Sequence, residues 1–120
     1  GSWVICDRYI DSTRAYQGMA GGIDDAALLA LHAFGSRGLL SDRTFVLEVP
    51  PAEGARRAAG RDGEGADRFA RRGEDFHIAV ADAFDRFASA EPDRFRRIDA
   101  TRPPAEVTAA VLAGLADLLP

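Results

Sequence analysis

Residues Cys6-Asp7-Arg8-Tyr9-Ile10-Asp11-Ser12-Thr13-Arg14-Ala15-Tyr16-Gln17-Gly18 hold the densest set of side chains able to do chemistry. They follow a short apolar run, Trp3-Val4-Ile5-Cys6, that reads as a buried strand. Open α/β sheets bind ligands at the carboxyl ends of their strands. Asp7 and Arg8 stand at that end, where arginine presents a planar fork to phosphate oxygens. The aspartate offers a hard oxygen to a magnesium ion that keeps most of its waters. Asp11 or Ser12 is expected to cap a short helix. On it Thr13, Tyr16 and Gln17, spaced i, i+3, i+4, share one face. A hydroxyl, a phenol and an amide suit a planar polar ring attached to a sugar. An ordinary surface helix, with Asp7 and Arg8 simply paired to each other, fits the residues equally well.

The elements that must position these groups lie in 120 residues, enough for one domain with a modest core. A net charge of -4 argues against a broad nucleic-acid or membrane surface. All 15 basic residues are arginine, so any phosphate recognition by side-chain cations falls to arginine forks. A single cysteine excludes an internal disulfide, and the cysteine-based metal spacings are absent. Cys6 reads as a small buried strand residue, and a reducing cytoplasm is the expected setting. No apolar run is long enough to span a membrane. The chain opens directly into its first apolar run, so Gly1-Ser2 is either a cloning remnant or the interior of something longer.

Met19-Ala20-Gly21-Gly22 is a helix stop and turn. Asp24 should cap a second helix, with Asp25 in its first turn. Leu28, Leu31 and Gly35, beside Ala27, Ala30 and Phe34, mark its apolar stripe, with His32 at the margin as a core-edge or interface residue. Thr44 to Val49 is a β-branched and aromatic strand closed by Pro50-Pro51. Glu48 should face the same rim as Asp7, in a position that is usually structural. An arginine-bearing helix follows over 52–61. Glycines at 60, 63 and 65 then describe a mobile loop flanked by arginines. That loop is either a solvated connection or a lid that brings arginines onto phosphates. From about Asp67 to Ala90, Phe69, Phe76, Val80, Phe84 and Phe87 define one buried helical face, with His77 beside it. Phe95 to Ala100 reads as an edge-like strand. Thr101 should cap a final helix striped by Val107, Val111, Leu115 and Leu118. Strands alternating with helices argue for a parallel sheet in an α/β protein, and three strands form a thin sheet for this length.

The pattern resembles the thymidylate kinase (dTMP kinase) family. Asp7-Arg8-Tyr9 with Ser12-Thr13 and Ala15-Tyr16-Gln17-Gly18 carries the likeness first. It continues through Leu47-Glu48-Val49-Pro50-Pro51, Gly60-Arg61, Ala66-Asp67-Arg68-Phe69, Asp75-Phe76-His77 and Ile98-Asp99-Ala100. The lid arginines are similar to those of the bacterial type. The resemblance implies an α/β fold of the P-loop NTPase, nucleoside monophosphate kinase kind, a parallel sheet flanked by helices. It implies transfer of a phosphoryl group from ATP to dTMP, giving dTDP for dTTP synthesis. Asp7 would assist the magnesium and phosphates, and Arg8 would bind the dTMP phosphate at the point of transfer. Thr13 and Gln17 would lie at the thymine and Tyr16 at the deoxyribose. Arg57 would lie against the ATP adenine, with Arg61 and Arg68 acting on the phosphates from a lid at about 60–68. The implied partners are Mg2+, ATP, dTMP and a second copy of the chain in a homodimer, with no nucleic acid or membrane.

Departures from the family pattern are equally definite. The family's G-x-x-x-x-G-K-[ST] loop, whose amides and lysine hold ATP phosphates, has no counterpart in a sequence without lysine. A segment carrying an arginine and a phenylalanine that grip dTMP is also absent. Glu48 replaces an aspartate, and Ala70 stands where an acid commonly follows. Residues 1–120 are therefore expected to be the C-terminal part of one kinase domain whose central P-loop strand is missing. In that case the strands at Cys6 and Val46 would flank a missing neighbour and expose backbone and apolar surface. The fragment alone should be inactive. Two other readings remain: a non-catalytic nucleotide-binding or interaction domain, and a deoxyribonucleoside kinase relative.

Overall fold

The computed structural model describes residues 2–62 and 73–119, leaving aside the side chains at 55 and 58–62. In chain order the elements are α1 (Ile10–Thr13), running on into a π-helical segment (Arg14–Met19), α2 (Asp25–Ser36), β1 (Thr44–Glu48), α3 (Pro51–Asp62), α4 (Glu74–Ala90), β2 (Phe95–Asp99) and α5 (Pro104–Ala113). β1 and β2 run parallel, in register from Thr44 opposite Phe95 to Glu48 opposite Asp99. Parallel neighbours require a crossover connection, and α3 and α4 lie within this one. The expected α/β arrangement is present, with a sheet of two strands among the described residues.

The expected strand at Trp3–Cys6 is not formed. The segment belongs to no ladder, Val4 is 83% and Ile5 97% exposed, and Cys6 is exposed rather than buried. A strand is defined by a neighbour that completes its backbone hydrogen bonds. β1 takes β2 as its partner, and no other strand lies among the described residues to pair with this run.

Helix ends follow local chemistry, with two corrections. Asp24 caps α2 as expected, its carboxylate accepting from the Ala27 amide at 3.1 Å. The helix stops where Arg37 and Gly38 turn left-handed, at φ 57° and 70°. Neither Asp11 nor Ser12 caps α1. Tyr9 occupies that position without a side-chain cap, and Asp11 lies in the first turn, buried. Thr101 does not cap α5 either. Pro103 holds the position, and the Thr101 hydroxyl donates instead to Asp99 at 2.6 Å. In both cases a nearby charged group competes for the polar side chain. The start expected for the long helix, from Asp67 and including Phe69, lies outside the described residues.

The core forms where α4 meets the π-helical segment and the sheet. Ala15, Val80, Ala83, Phe87 and Phe95 are buried together, and Tyr16, Val46, Phe76 and Phe84 pack around them. The phenylalanine spacing of α4 therefore describes its buried face. α2 differs from expectation, because Leu28 is its one buried side chain, while Leu31 is 68% and Phe34 90% exposed.

A polar pair ties these pieces together. Asp11 accepts two hydrogen bonds from Arg94, at 2.6 and 3.0 Å. The two side chains are only 6% and 12% exposed. Thr44 donates to the same carboxylate at 3.2 Å, and Glu91 takes two more Arg94 donors at 2.8 and 3.1 Å. Removing one partner of such a pair strands the other charge in a poorly solvated place. Arg94→Met is expected to lower the unfolding free energy by roughly 3 to 5 kcal/mol, read as a fall in the urea midpoint.

Candidate active site

The site begins at the turn after the N-terminal run. Arg8 adopts φ 64°, a left-handed conformation uncommon for a side-chain-bearing residue. The Cys6 thiol donates to the Arg8 carbonyl at 3.2 Å across this turn. The conformation carries the guanidinium over Tyr16, with Cζ 4.9 Å from the ring centroid, in cation–π range. Tyr16 in turn meets Phe76 of α4 edge-on at 5.9 Å. Arg8 thus rests on a ring that is itself seated against the core.

The π-helical turn shapes the next stretch of backbone. The Ala20 amide donates to the Ala15 carbonyl at 3.0 Å, five residues back. Such wide turns are frequent at functional sites. The chain then folds so closely on itself that a Cβ at Gly21 would lie 2.5 Å from the Gln17 carbonyl oxygen and 2.8 Å from that of Tyr16. Only glycine fits there without displacing the backbone that carries Tyr16 and Gln17.

Between this segment and α2 lies a cleft of about 480 Å³. Arg8, Tyr9, Ile10, Ser12, Thr13, Tyr16 and Gln17 form one wall, and Leu28, Leu31 and His32 form the other. Arg8, Thr13, Tyr16 and Gln17 are therefore brought to one place. Residue type and spacing do not single out Ser12, Leu28, Leu31 or His32 as site residues. Leu28 and His32 are four apart on one helix, so i, i+4 spacing held the signal for a wall, but nothing in the sequence said that it faced Thr13. His32 is half-buried at the margin of the cleft. Its Nε2 lies 2.8 Å from the Leu39 carbonyl, which also accepts from the Tyr9 hydroxyl at 3.1 Å. A carbonyl only accepts, so Nε2 carries the proton.

Of the other expected residues, Asp7 and Arg57 do not line this cleft. Asp7 is exposed beside it. Arg57 binds Glu53 at 2.5 Å and reaches from α3 to the Ala100 carbonyl at 2.9 Å, just past the carboxyl end of β2. Arg61 lies on α3 with its side chain outside the described residues, and Arg68, with the lid from 63 onward, lies outside them altogether. Glu48 accepts from Arg97 of the neighbouring strand at 2.6 Å, a structural pairing. Among the described residues no group of three or more His, Cys, Asp or Glu is placed to hold a metal, and no helix is long and apolar enough to cross a membrane.

Paired charges lie among residues that do not line the cleft. Arg14 grips Asp25 with two donors, Nε at 2.7 Å and Nη2 at 2.9 Å. This hydrogen bonding holds the Asp25 carboxyl below its ordinary range, and raises Arg14. Glu91 is held low in the same way by Arg94, whose own pKa is raised, chiefly by its bond to Asp11.

Comparison with known proteins gives a consistent result. The family model described as thymidylate kinase matches residues 1–111. A thymidylate kinase of Rhizorhabdus wittichii is 51% identical over all 120 residues, which cover 58% of that relative's length. One of Halorhodospira halophila is 47% identical over 120 residues, covering 55% of its length. One of Bradyrhizobium sp. is 45% identical over 109 residues, covering 48%. The chain spans about half the length of the curated relatives it matches.

The depressed carboxyls fix the sign of an acid response. Asp25 and Glu91 have folded pKa values below their ordinary ones. Their pairing therefore contributes stability above the ordinary carboxylate pKa, about 4. It is lost as pH falls through the lower folded values. The urea midpoint should hold between about pH 7 and 5 and fall below about pH 4. Asp25→Asn should flatten that fall, as a pH series of unfolding curves would record.

Proposed function

This chain belongs to the thymidylate kinase family, and on that premise we propose that it is the acceptor-side part of an enzyme that transfers the γ-phosphoryl group of ATP to dTMP, giving ADP and dTDP. The observation that carries the reading is the cleft that gathers Arg8, Thr13, Tyr16 and Gln17. Its volume lies in the range of small-molecule sites. Thr13 and Gln17 offer a hydroxyl and an amide to the edge of thymine. Tyr16 lies at the deoxyribose, and Arg8 presents its fork to the acceptor phosphate.

Phosphoryl transfer is mostly positioning and charge neutralisation, so the reading needs no general base from histidine. Arg8, braced on Tyr16, holds the acceptor phosphate in place. Asp7 is exposed and offers the hard oxygen that Mg2+ takes alongside waters and substrate phosphates, so it is the residue that would hold the ion. The ion, when bound, neutralises charge on the transferring phosphates. Arg57, fixed near the carboxyl end of β2, would lie at the adenine, and Arg61 and Arg68 would act from the lid. The sequence contains no lysine and no P-loop motif. We assign the cradle for the ATP phosphates to the length that the relatives have and these 120 residues do not. The reading carries a cytoplasmic setting and a homodimer, with the exposed Phe34 face of α2 as its contact.

An assay of ADP release with ATP and dTMP separates the outcomes. The 120-residue chain alone should give no turnover. The chain joined to the portion of the R. wittichii relative that it does not cover should turn over dTMP but not thymidine. Thymidine turnover would favour a nucleoside kinase, and no turnover with either would sink the reading. In the joined protein, Arg8→Ala should reduce kcat by about 10²- to 10³-fold. Phe34→Glu should convert that protein from dimer to monomer, measured by light scattering.

A further inference from the structure

We propose that the Arg14–Asp25 ion pair is a clamp that sets the separation of the two walls of the acceptor cleft, so that both are positioning residues for the acceptor nucleotide. The proposal rests on reading the cleft as the dTMP site. One wall is the segment from Arg8 to Gln17, seated on the core through Ala15 and Tyr16. The other is α2, whose hold on the body of the protein is slight. Leu28 is its one buried side chain. The covalent link between the walls runs through Gly21 and Gly22, the latter at φ 82°, a link that permits more than one approach angle. Farther along α2 the His32 ring meets Tyr9 edge-on at 5.2 Å, and two contacts near the glycine turn fix the pose at that end. Gly18 lies against Leu28, where an added Cβ would come within 3.1 Å of Leu28 Cδ1. The other is the two-pronged bond between Arg14 and Asp25.

Exposed ion pairs contribute little when both side chains must be ordered to form them. Here one partner is ordered beforehand. The Arg14 side chain is 13% exposed, its Cζ lies 4.2 Å from the Phe87 ring centroid, and Asp11 stands 3.5 Å from Nη1. A planar fork fixed in this way loses little freedom on binding and imposes a direction on the carboxylate it meets. Asp25 sits in the first turn of α2, so the clamp acts at the end of the helix nearest the turn. Leu28, Leu31 and His32 lie one turn and two turns further on, and swing with it.

Asp25→Asn tests the clamp while leaving Arg14 with two other carboxylates, Asp11 at 3.5 Å and Glu91 at 3.8 Å. In the joined protein, dTMP affinity measured by calorimetry should fall about tenfold. Asp25→Glu, which keeps the charge, should stay within about threefold of the wild type. The Arg14→Met/Asp25→Asn double variant should bind no more than about twofold worse than Asp25→Asn alone, because the two act as one unit. The thermal midpoint of Asp25→Asn should move by less than about 5 °C. A ligand-free readout is the nuclear Overhauser contact between Gly18 Hα and the Leu28 methyls, which should weaken in Asp25→Asn. Unchanged affinity in Asp25→Asn, or an unchanged contact, overturns the proposal. If the joined protein without substitutions binds no dTMP, the dTMP reading fails at that step, and the Overhauser contact alone decides whether the clamp sets the walls.

Discussion

An aspartate in the first turn of a short helix and an arginine before the last strand meet through two hydrogen bonds, at 2.6 and 3.0 Å, with little water around either. Their 83 residues of sequence separation make the pair a long closure. It fixes α1, the start of β1, the end of α4 and the start of β2 to one point, because Thr44 and Glu91 bind the same two groups. The Thr44 amide also donates to the Arg94 carbonyl at 2.9 Å, so the parallel ladder begins where the charges meet. Burying a pair is not in itself a gain over a well-packed apolar contact. What the pair supplies is direction. It sets how α1 is rolled, and thus which of its side chains look outward.

That roll divides the segment between two tasks. Asp11, Arg14, Ala15 and Gly18 face the interior or the ion network, and Ser12, Thr13, Tyr16 and Gln17 line the cleft. The π-helical turn makes the division possible, since its wider rotation shifts the later side chains relative to a regular helix. Arg8 joins the cleft through a left-handed turn and a stack on Tyr16. The residues that line the cleft are therefore supported by others whose own contacts are packed or paired, which is how the geometry of a site is held against thermal motion.

Parts of this arrangement were readable from local pattern. The β-branched run at Thr44 and the phenylalanine spacing of α4 predicted elements that exist, because burial of one face imposes period on a sequence. Asp24 was readable as a cap because its amide partner is three residues away. Asp11 is not a cap for the complementary reason, since its partner Arg94 lies 83 residues away. Thr101 is lost as a cap to a local rival, the Asp99 carboxylate two residues back, which takes its hydroxyl. The apolar stripe of α2 suggested burial, yet apolar character only permits burial, and Leu31 and Phe34 are exposed. Trp3 to Cys6 carries strand-forming residues, but a strand requires a neighbour and not merely a propensity.

By itself the sequence determined which chemistry is available: arginine forks without lysine, an Asp-Arg turn, a hydroxyl, phenol and amide at helical spacing, and membership of a kinase family through those motifs. These are properties of residue type and short spacing, which survive in any local conformation. Only the tertiary structure decided that Asp11 serves the fold, that His32 faces the cleft, and that Arg14 reaches Asp25 across a glycine turn. Each of these depends on contacts between segments brought together by burial and long-range pairing, which no short window of sequence contains.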